Sequence, residues 1–337
     1  MHHIFSRTNF NRIGATQLRY VEASQFGGPE VLTVIEKETP TPAEGELLVE
    51  VQAAGINYAD VAARSGHYPA VTKAPFAEGF EIAGVVKAVG KHVEGFKVGD
   101  SVAALTLAGG GYASHILIPA ATAIPFPKQL DPALAAAILL QGLTAYILLD
   151  RAQVKSGDAV LIAAAAGGVG GLAVQLAKLR GAKVIALASE SKLELVKSLG
   201  ADHAFDYGKR GWSAQVLDVT ELQGVQVFLD SIGDLATEAF SVLGQFARWI
   251  IYGVRSDKQN AFPVNMLWPM IEKNISLMGF NLGGNLDRVP SALKDLFKFA
   301  IDGSIKVEIT KYPLAEASIA HADFEGRNTT GKLVLIP

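Results

Sequence analysis

The stretch Asp158-Ala-Val-Leu-Ile-Ala-Ala-Ala-Ala-Gly-Gly-Val-Gly-Gly171 decides the fold. It opens on apolar, β-type residues and is almost bare of side chains from Ala163 to Gly171. It then runs into an apolar pattern that ends in Lys178-Leu-Arg180. A strand, a tight turn and a helix in direct succession form the start of a crossover unit, and such units build parallel sheets. Inside it, Ala165-Ala-Gly167-Gly-Val-Gly170 reads A-x-G-x-x-G, a dinucleotide fingerprint with alanine at the first glycine position. Small residues there permit the turn, the close approach of a pyrophosphate and the packing of helix on strand. A helix beginning near Gly168 offers free N–H groups and its positive dipole end to phosphate. Gly167, Gly168, Val169 and Gly170 are therefore candidate cofactor ligands.

The same rhythm continues on the C-terminal side. Lys183–Ala188, Val225–Asp230, Arg248–Tyr252 and Ile275–Phe280 read as strands, with helices over 191–199 and near 234–243. Continuous apolar strands alternating with helices predict an α/β domain, a Rossmann-type doubly wound parallel sheet covered on both faces. Upstream, residues 17–135 are β-rich and punctuated by glycine. Glu46–Gln52 alternates in polarity, Gly79–Gly90 is a strand with tight ends, and Gly99-Asp100 turns the chain into Ser101–Thr106. Dense turn signals between short strands predict a small barrel or sandwich. The tail carries a helix, Ser291–Ile301, and strands at Lys306–Ile309 and Lys332–Ile336.

A chain of 337 residues suggests about two domains. Its net charge of −3 and lack of a basic block give no footprint for a nucleic-acid partner. The absence of cysteine excludes disulfides, thiolate nucleophiles and cysteine-ligated zinc. It fits a reducing compartment, and a cytoplasmic location is expected. Met1–Arg7 holds no apolar core of a secretory signal, and residues 1–16 read as an N-terminal extension. Ala159–Ala177 and Pro132–Leu149 have the length and apolarity of a bilayer span. The glycines in the first would break a spanning helix in lipid, so a buried strand, turn and helix is the better reading and no membrane is expected.

The second strand selects the dinucleotide. In Leu187-Ala-Ser-Glu-Ser-Lys192 the place of a ribose-binding carboxylate falls to Ala188. Ser189, Ser191 and Lys192 suit a 2′-phosphate, so NADPH is expected. Glu190 either points to solvent or favours NADH, and Ser189 or Ser191 could equally cap a helix.

Further motifs carry a resemblance. Asn57-Tyr-Ala-Asp60, Arg64-Ser-Gly-His-Tyr-Pro69, Gly79-Phe-Glu-Ile-Ala-Gly84, Gly99-Asp100, Gln141-Gly-Leu-Thr144 and the closing Gly331-Lys-Leu-Val-Leu-Ile-Pro337 accompany the bare turn. Together they resemble the medium-chain dehydrogenase/reductase superfamily over residues 17–337, and within it the zinc-independent quinone oxidoreductases related to ζ-crystallin. The resemblance implies a GroES-like β-rich catalytic domain from 17–139 and 284–337, a Rossmann NADP-binding domain from 140–283, a cleft between them and a homodimer. Zinc relatives use a cysteine before the first helix and the histidine of a G-H-E motif. Here those places hold Asn57 and Phe80, and His67, His115, Asp60 and Glu78 lack recognisable ligand spacing, so no metal is expected. Without a Lewis acid to stabilise an alkoxide, simple alcohols are poor substrates. A quinone or an enone accepts hydride and spreads the charge onto oxygen, so positioning and one hydrogen bond suffice.

By the same resemblance, Asn57, Tyr68 and Asp60 are the catalytic candidates. Asn57 would lie by the nicotinamide ribose or substrate carbonyl, or else fix its loop. Tyr68 would donate to the carbonyl or stack on a quinone, or else cover a turn, and Asp60 could simply cap a helix. Thr144 would contact the nicotinamide and Tyr207 the 2′-phosphate. Ser231 would stand on the adenine side, with Gly253, Phe280 and Asn281 around the nicotinamide. Arg327 and Lys332, in the tail that closes the cleft, would reach phosphate or ribose, or remain solvated. The expected activity is NADPH-dependent quinone reduction. An enone reductase and a non-catalytic NADPH-binding structural or sensing protein are the alternatives.

Overall fold

The computed structural model describes residues 17–233, 236–253, 266–326 and 329–337. Short strands separated by glycine turns form the first half: β1 (Gln17–Ala23), β2 (Leu32–Glu38), β3 (Glu46–Gly55), β4 (Phe76–Ala77), β5 (Glu81–Val89), β6 (Ser101–Leu105), β7 (His115–Pro119) and β8 (Ile124–Pro125). β1 pairs with β2 and β4 in a small antiparallel sheet. The rest join a seven-stranded sheet together with two strands from the far end of the chain, β15 (Ile309–Pro313) and β16 (Lys332–Ile336). Its order is β15-β16-β3-β5-β6-β8, with β7 also on β3. Both ends of the chain thus build one GroES-like unit. Gly84 is where β5 presses closest on β3, since a Cβ there would fall 2.1 Å from the Glu50 carbonyl oxygen.

Helix α1 (Tyr58–Arg64) leaves β3, and α2 (Pro132–Arg151) leads out of the β-rich unit. Asp131 caps α2 by accepting from the Ala133 N–H at 2.7 Å, and Pro132 supplies a preset first turn. α2 alone among the described residues is long and apolar enough to cross a membrane. However, 78% of that window is buried within the protein, and it packs against β3, β5, α8 (Val289–Ile301) and α3 (Gly168–Leu179). A helix apolar on nearly every side belongs in a core, and α2 occupies one.

Beyond it, β9 (Ala159–Ile162), β10 (Lys183–Ala188), β11 (His203–Asp206), β12 (Val225–Asp230), β13 (Leu243–Ile251) and β14 (Ser276–Gly279) form a parallel sheet. Its order is β11-β10-β9-β12-β13-β14, a Rossmann-type doubly wound arrangement. The crossovers carry α3, α4 (Leu193–Ser198), α5 (Trp212–Val219), α6 (Ala236–Val242) and α7 (Leu267–Lys273), and α9 (Ala317–Glu325) precedes β16. Two expected strands are shifted. The strand expected at Lys306–Ile309 begins only at Ile309, because the Gln175 side chain takes the backbone N–H and carbonyl of Lys306. The strand expected from Arg248 begins at Leu243, where α6 ends.

Candidate active site

The C-terminal ends of the parallel strands gather most of the predicted cofactor residues. Strand order reverses between β9 and β12, and the crevice above such a reversal is where doubly wound sheets bind nucleotides. The bare turn stands at this point. Gly167 is the N-cap of α3, and no side chain caps the helix. A Cβ on Gly170 would meet the Ala164 carbonyl oxygen at 2.4 Å and the Ala165 Cα at 2.8 Å. Only glycine lets α3 lie this close on its own turn, which leaves uncapped N–H groups facing outward for an anion. The residues present therefore fit a dinucleotide pyrophosphate.

Ser189 and Lys192 flank the end of β10, and the Lys192 ammonium donates to the Thr329 carbonyl at 3.0 Å. The exposed Glu190 carboxylate pairs with Lys209, two residues beyond Tyr207. Tyr207 follows β11, and its N–H donates to the Ala188 carbonyl at 3.4 Å. Ser231, Gly253, Phe280 and Asn281 follow β12, β13 and β14 at the same end of the sheet. Gly253 touches Ser231 so closely that a Cβ would fall 2.7 Å from its carbonyl oxygen. The Asn281 side-chain oxygen accepts from the Gly283 N–H at 2.7 Å and caps a short turn. Thr144 is buried on α2. A small pocket beside the turn joins Gly167 and Gly168 to Leu195, Lys306, Glu308 and Gly331. Arg327 lies outside the described residues.

A second group of functional residues is sealed in the β-rich unit. Asn57 caps α1, and its N–H donates to Asp60 Oδ2 at 2.6 Å. Its side chain is fully engaged below. Nδ2 donates to Glu81 Oε1 at 2.8 Å, and Oδ1 accepts from Lys332 Nζ at 2.7 Å. Lys332 also pairs with Glu81, whose other oxygen accepts the backbone N–H of Leu140, in the middle of α2, at 2.6 Å. The sequence reading put Lys332 in a tail reaching for phosphate or ribose. The structure instead buries its ammonium completely on Asn57 and Glu81. The sequence reading did not single out Glu81, which the structure places at the centre of this cluster. The signal was available: a carboxylate inside Glu81-Ile-Ala-Gly-Val-Val86 and an ammonium beside Leu333-Val-Leu-Ile336 each need a buried partner.

Burial pushes the Asp60 carboxyl up to about 7, against the pull of the Asn57 N–H and the Lys332 charge, while Glu81 reinforces the rise. Lys332 is held below the usual ammonium range by burial, against the attraction of Glu81. Tyr68 is half-buried, and its hydroxyl is raised by burial and by the charge of Asp60. Its ring packs at 5.3 Å on Phe80. Tyr68 is therefore the partly accessible polar group, packed on an apolar ring, whereas Asn57 and Asp60 are buried.

A zinc ion does not fit these residues. Phe80 has no donor atom, the Asn57 oxygen faces an ammonium, and Glu81 is committed to Lys332 and Leu140. Among the described residues no group of three or more His, Asp or Glu could hold a metal ion.

A doubly wound sheet with a bare glycine turn, joined to a GroES-like unit that carries polar residues, defines a two-domain nucleotide-dependent oxidoreductase. Known proteins agree. Residues 43–128 match the alcohol dehydrogenase GroES-like domain and residues 168–299 the zinc-binding dehydrogenase family. A protein of Schizosaccharomyces pombe named "Probable quinone oxidoreductase" is 37% identical over 94% of this chain and 96% of its own. The crystal structure of Escherichia coli quinone oxidoreductase complexed with NADPH superposes with a TM-score of 0.89 at 33% identity, over 95% of this chain and 100% of that one. The CurK enoyl reductase superposes at 0.84 with 29% identity, over 95% and 99%. The chain belongs to the medium-chain dehydrogenase/reductase superfamily, in its quinone oxidoreductase branch.

Proposed function

We propose that this chain is an NADPH-dependent oxidoreductase that reduces a quinone without zinc. The cofactor is NADPH. Residues 17–139 and 284–337 serve as the catalytic domain and 140–283 as the NADP-binding domain, and the enzyme works in the cytoplasm as a homodimer. The observation that carries the zinc-free reading is the replacement of a metal-ligand set by the closed Asn57–Lys332–Glu81 cluster.

When bound, NADPH supplies hydride from its nicotinamide. The chain's own residues do the rest. The Gly167–Gly170 turn holds the pyrophosphate by backbone N–H groups. Ser189, Lys192 and Tyr207 stand where a 2′-phosphate would be recognised, and the pairing of Glu190 with Lys209 neutralises the one carboxylate of the Leu187–Lys192 stretch. Tyr68 donates a hydrogen bond to the substrate oxygen on which charge develops. Phe80, buried beneath it, packs on the Tyr68 ring and keeps water from that side. Asn57 and Asp60 fix the start of α1, the helix that leads to Tyr68.

Initial rates of NADPH oxidation with 1,4-benzoquinone in EDTA, with NADH run in parallel, test the reading. A rate that survives the chelator and favours NADPH is expected. Loss of the rate in EDTA, restored by zinc, would overturn the metal-free account. The second reading, an enone reductase, is favoured by the likeness to CurK. It predicts a saturated ketone from an enone and no turnover of the quinone.

A further inference from the structure

A buried amide stands unpaired where α2 meets the N-terminus of α3. Gln141 is only 6% exposed, and its Oε1 makes no hydrogen bond. It is aimed at the bare turn: a Cβ on Gly168 would fall 1.9 Å from Gln141 Oε1 and 2.6 Å from Nε2. A side chain at Gly168 would have to push this amide aside. Gly168 is also the first residue of a 12-residue helix that no side chain caps. An uncapped helix end and an unsatisfied buried acceptor therefore share one spot.

The placement of Gln141 is built rather than incidental. Glu81 holds the backbone N–H of the preceding residue, Leu140, from the β-rich unit. Lys332 in turn balances Glu81. This fixes the rotation of α2, so that Gln141 and Thr144, three residues apart on one helical face, are presented together. A leucine at 141 would fill the same space with no unpaired polar atom. The free protein thus carries a desolvation cost that a ligand can offset.

The chemistry of the atom limits that ligand. A phosphate oxygen is an acceptor and cannot satisfy Oε1, whereas a ribose hydroxyl can donate to it. Gln141 stands between Gly168, at the pyrophosphate turn, and Thr144, which the family resemblance sets by the nicotinamide. We propose that Gln141 is a cofactor-positioning residue whose amide oxygen accepts a hydrogen bond from a hydroxyl of the ribose on the nicotinamide side. The proposal rests on the NADPH reading and extends it to a residue outside the glycine turn.

Calorimetric titration of the free protein with NADPH and with 2′,5′-ADP, which lacks the nicotinamide half, tests it. In Gln141→Leu, NADPH binding should weaken about tenfold, equivalent to about 1.4 kcal/mol. Binding of 2′,5′-ADP should be unchanged, and the melting temperature of the free protein should hold or rise. An NADPH Kd within twofold of the parent, or an equal loss for 2′,5′-ADP, overturns the proposal. If the leucine variant does not fold, Gln141→Met decides. It keeps the length and volume but has no amide oxygen, so NADPH should again bind about tenfold more weakly while 2′,5′-ADP binds as to the parent. An unchanged Kd in that variant also overturns the proposal. Failure of the parent protein to bind NADPH would count against the cofactor reading instead.

Discussion

A methyl group at Gly170 would press on backbone atoms, which cannot swing aside as a flexible side chain can. Gly170→Ala should therefore cost about 1–3 kcal/mol of stability by overpacking. It should also weaken NADPH binding, because α3 must lift from its turn; thermal melts and calorimetry check both effects. Glu78 is a different kind of residue. Its carboxyl oxygens are buried without a hydrogen bond, and burial, with the charge of Asp60, pushes it up to about 9. The folded chain keeps this proton to higher pH than the unfolded chain, whose carboxyl loses it near 4.5. The stabilisation is thus complete below about pH 4.5 and falls away as pH rises through about 9. Glu78→Gln cannot lose a proton, so its melting temperature should decline less than the parent's between pH 7 and 9; parallel slopes would refute this. Tyr68→Phe should lower kcat about 100-fold while leaving the NADPH Kd intact, if its hydroxyl donates to the reacting oxygen. The glycines of the turn were legible because what a tight strand-to-helix turn demands is local, whereas Tyr68 became a candidate through the family resemblance. The burial of Lys332 was not, since its partner Glu81 is 251 positions away.

Helix α2 joins the two halves of the molecule. The Glu81 carboxylate reaches it from β5 and binds Leu140, while Lys332 on β16 neutralises Glu81. Removing one member of a buried pair strands the other, at about 3–5 kcal/mol. Lys332→Met should therefore destabilise strongly, and Lys332→Met combined with Glu81→Leu should recover part of the loss. Melts of the parent, single and double variants measure the coupling. Additive losses would show that the pair is not a unit. The repeating strand and helix pattern after residue 158 was readable because the central strands β9, β10 and β12 are buried almost throughout. The helices α5 and α7 were missed: each is short, and α7 has no fully buried residue from which an apolar face could be read. The shift of β15 was hidden for another reason. Gln175, on α3, competes for the backbone of Lys306, and no local pattern reports a rival 131 residues away.

At the scale of the whole molecule, β14 ends the parallel sheet with an open edge among the described residues. Beside it Leu267, Trp268, Ile271 and Leu277 are exposed, Trp268 by 71%. An apolar flank along an open strand edge supports the proposed homodimer, because a second copy can extend the sheet and cover the flank. Trp268→Lys should shift sedimentation toward the monomer, with the NADPH Kd unchanged; a dimer of undiminished stability would place the interface elsewhere. The sequence by itself determined the doubly wound sheet, the glycine turn and the β-rich first half, because periodicity and small residues act over a few neighbours; that both ends of the chain build one unit came from the family resemblance alone. Only the tertiary structure decided that Asn57, Glu81 and Lys332 close on one another, that Glu190 pairs with Lys209, and that the Gln141 amide oxygen stands unpaired beside Gly168. These are contacts between distant segments, fixed by which buried polar groups find partners once the core has closed.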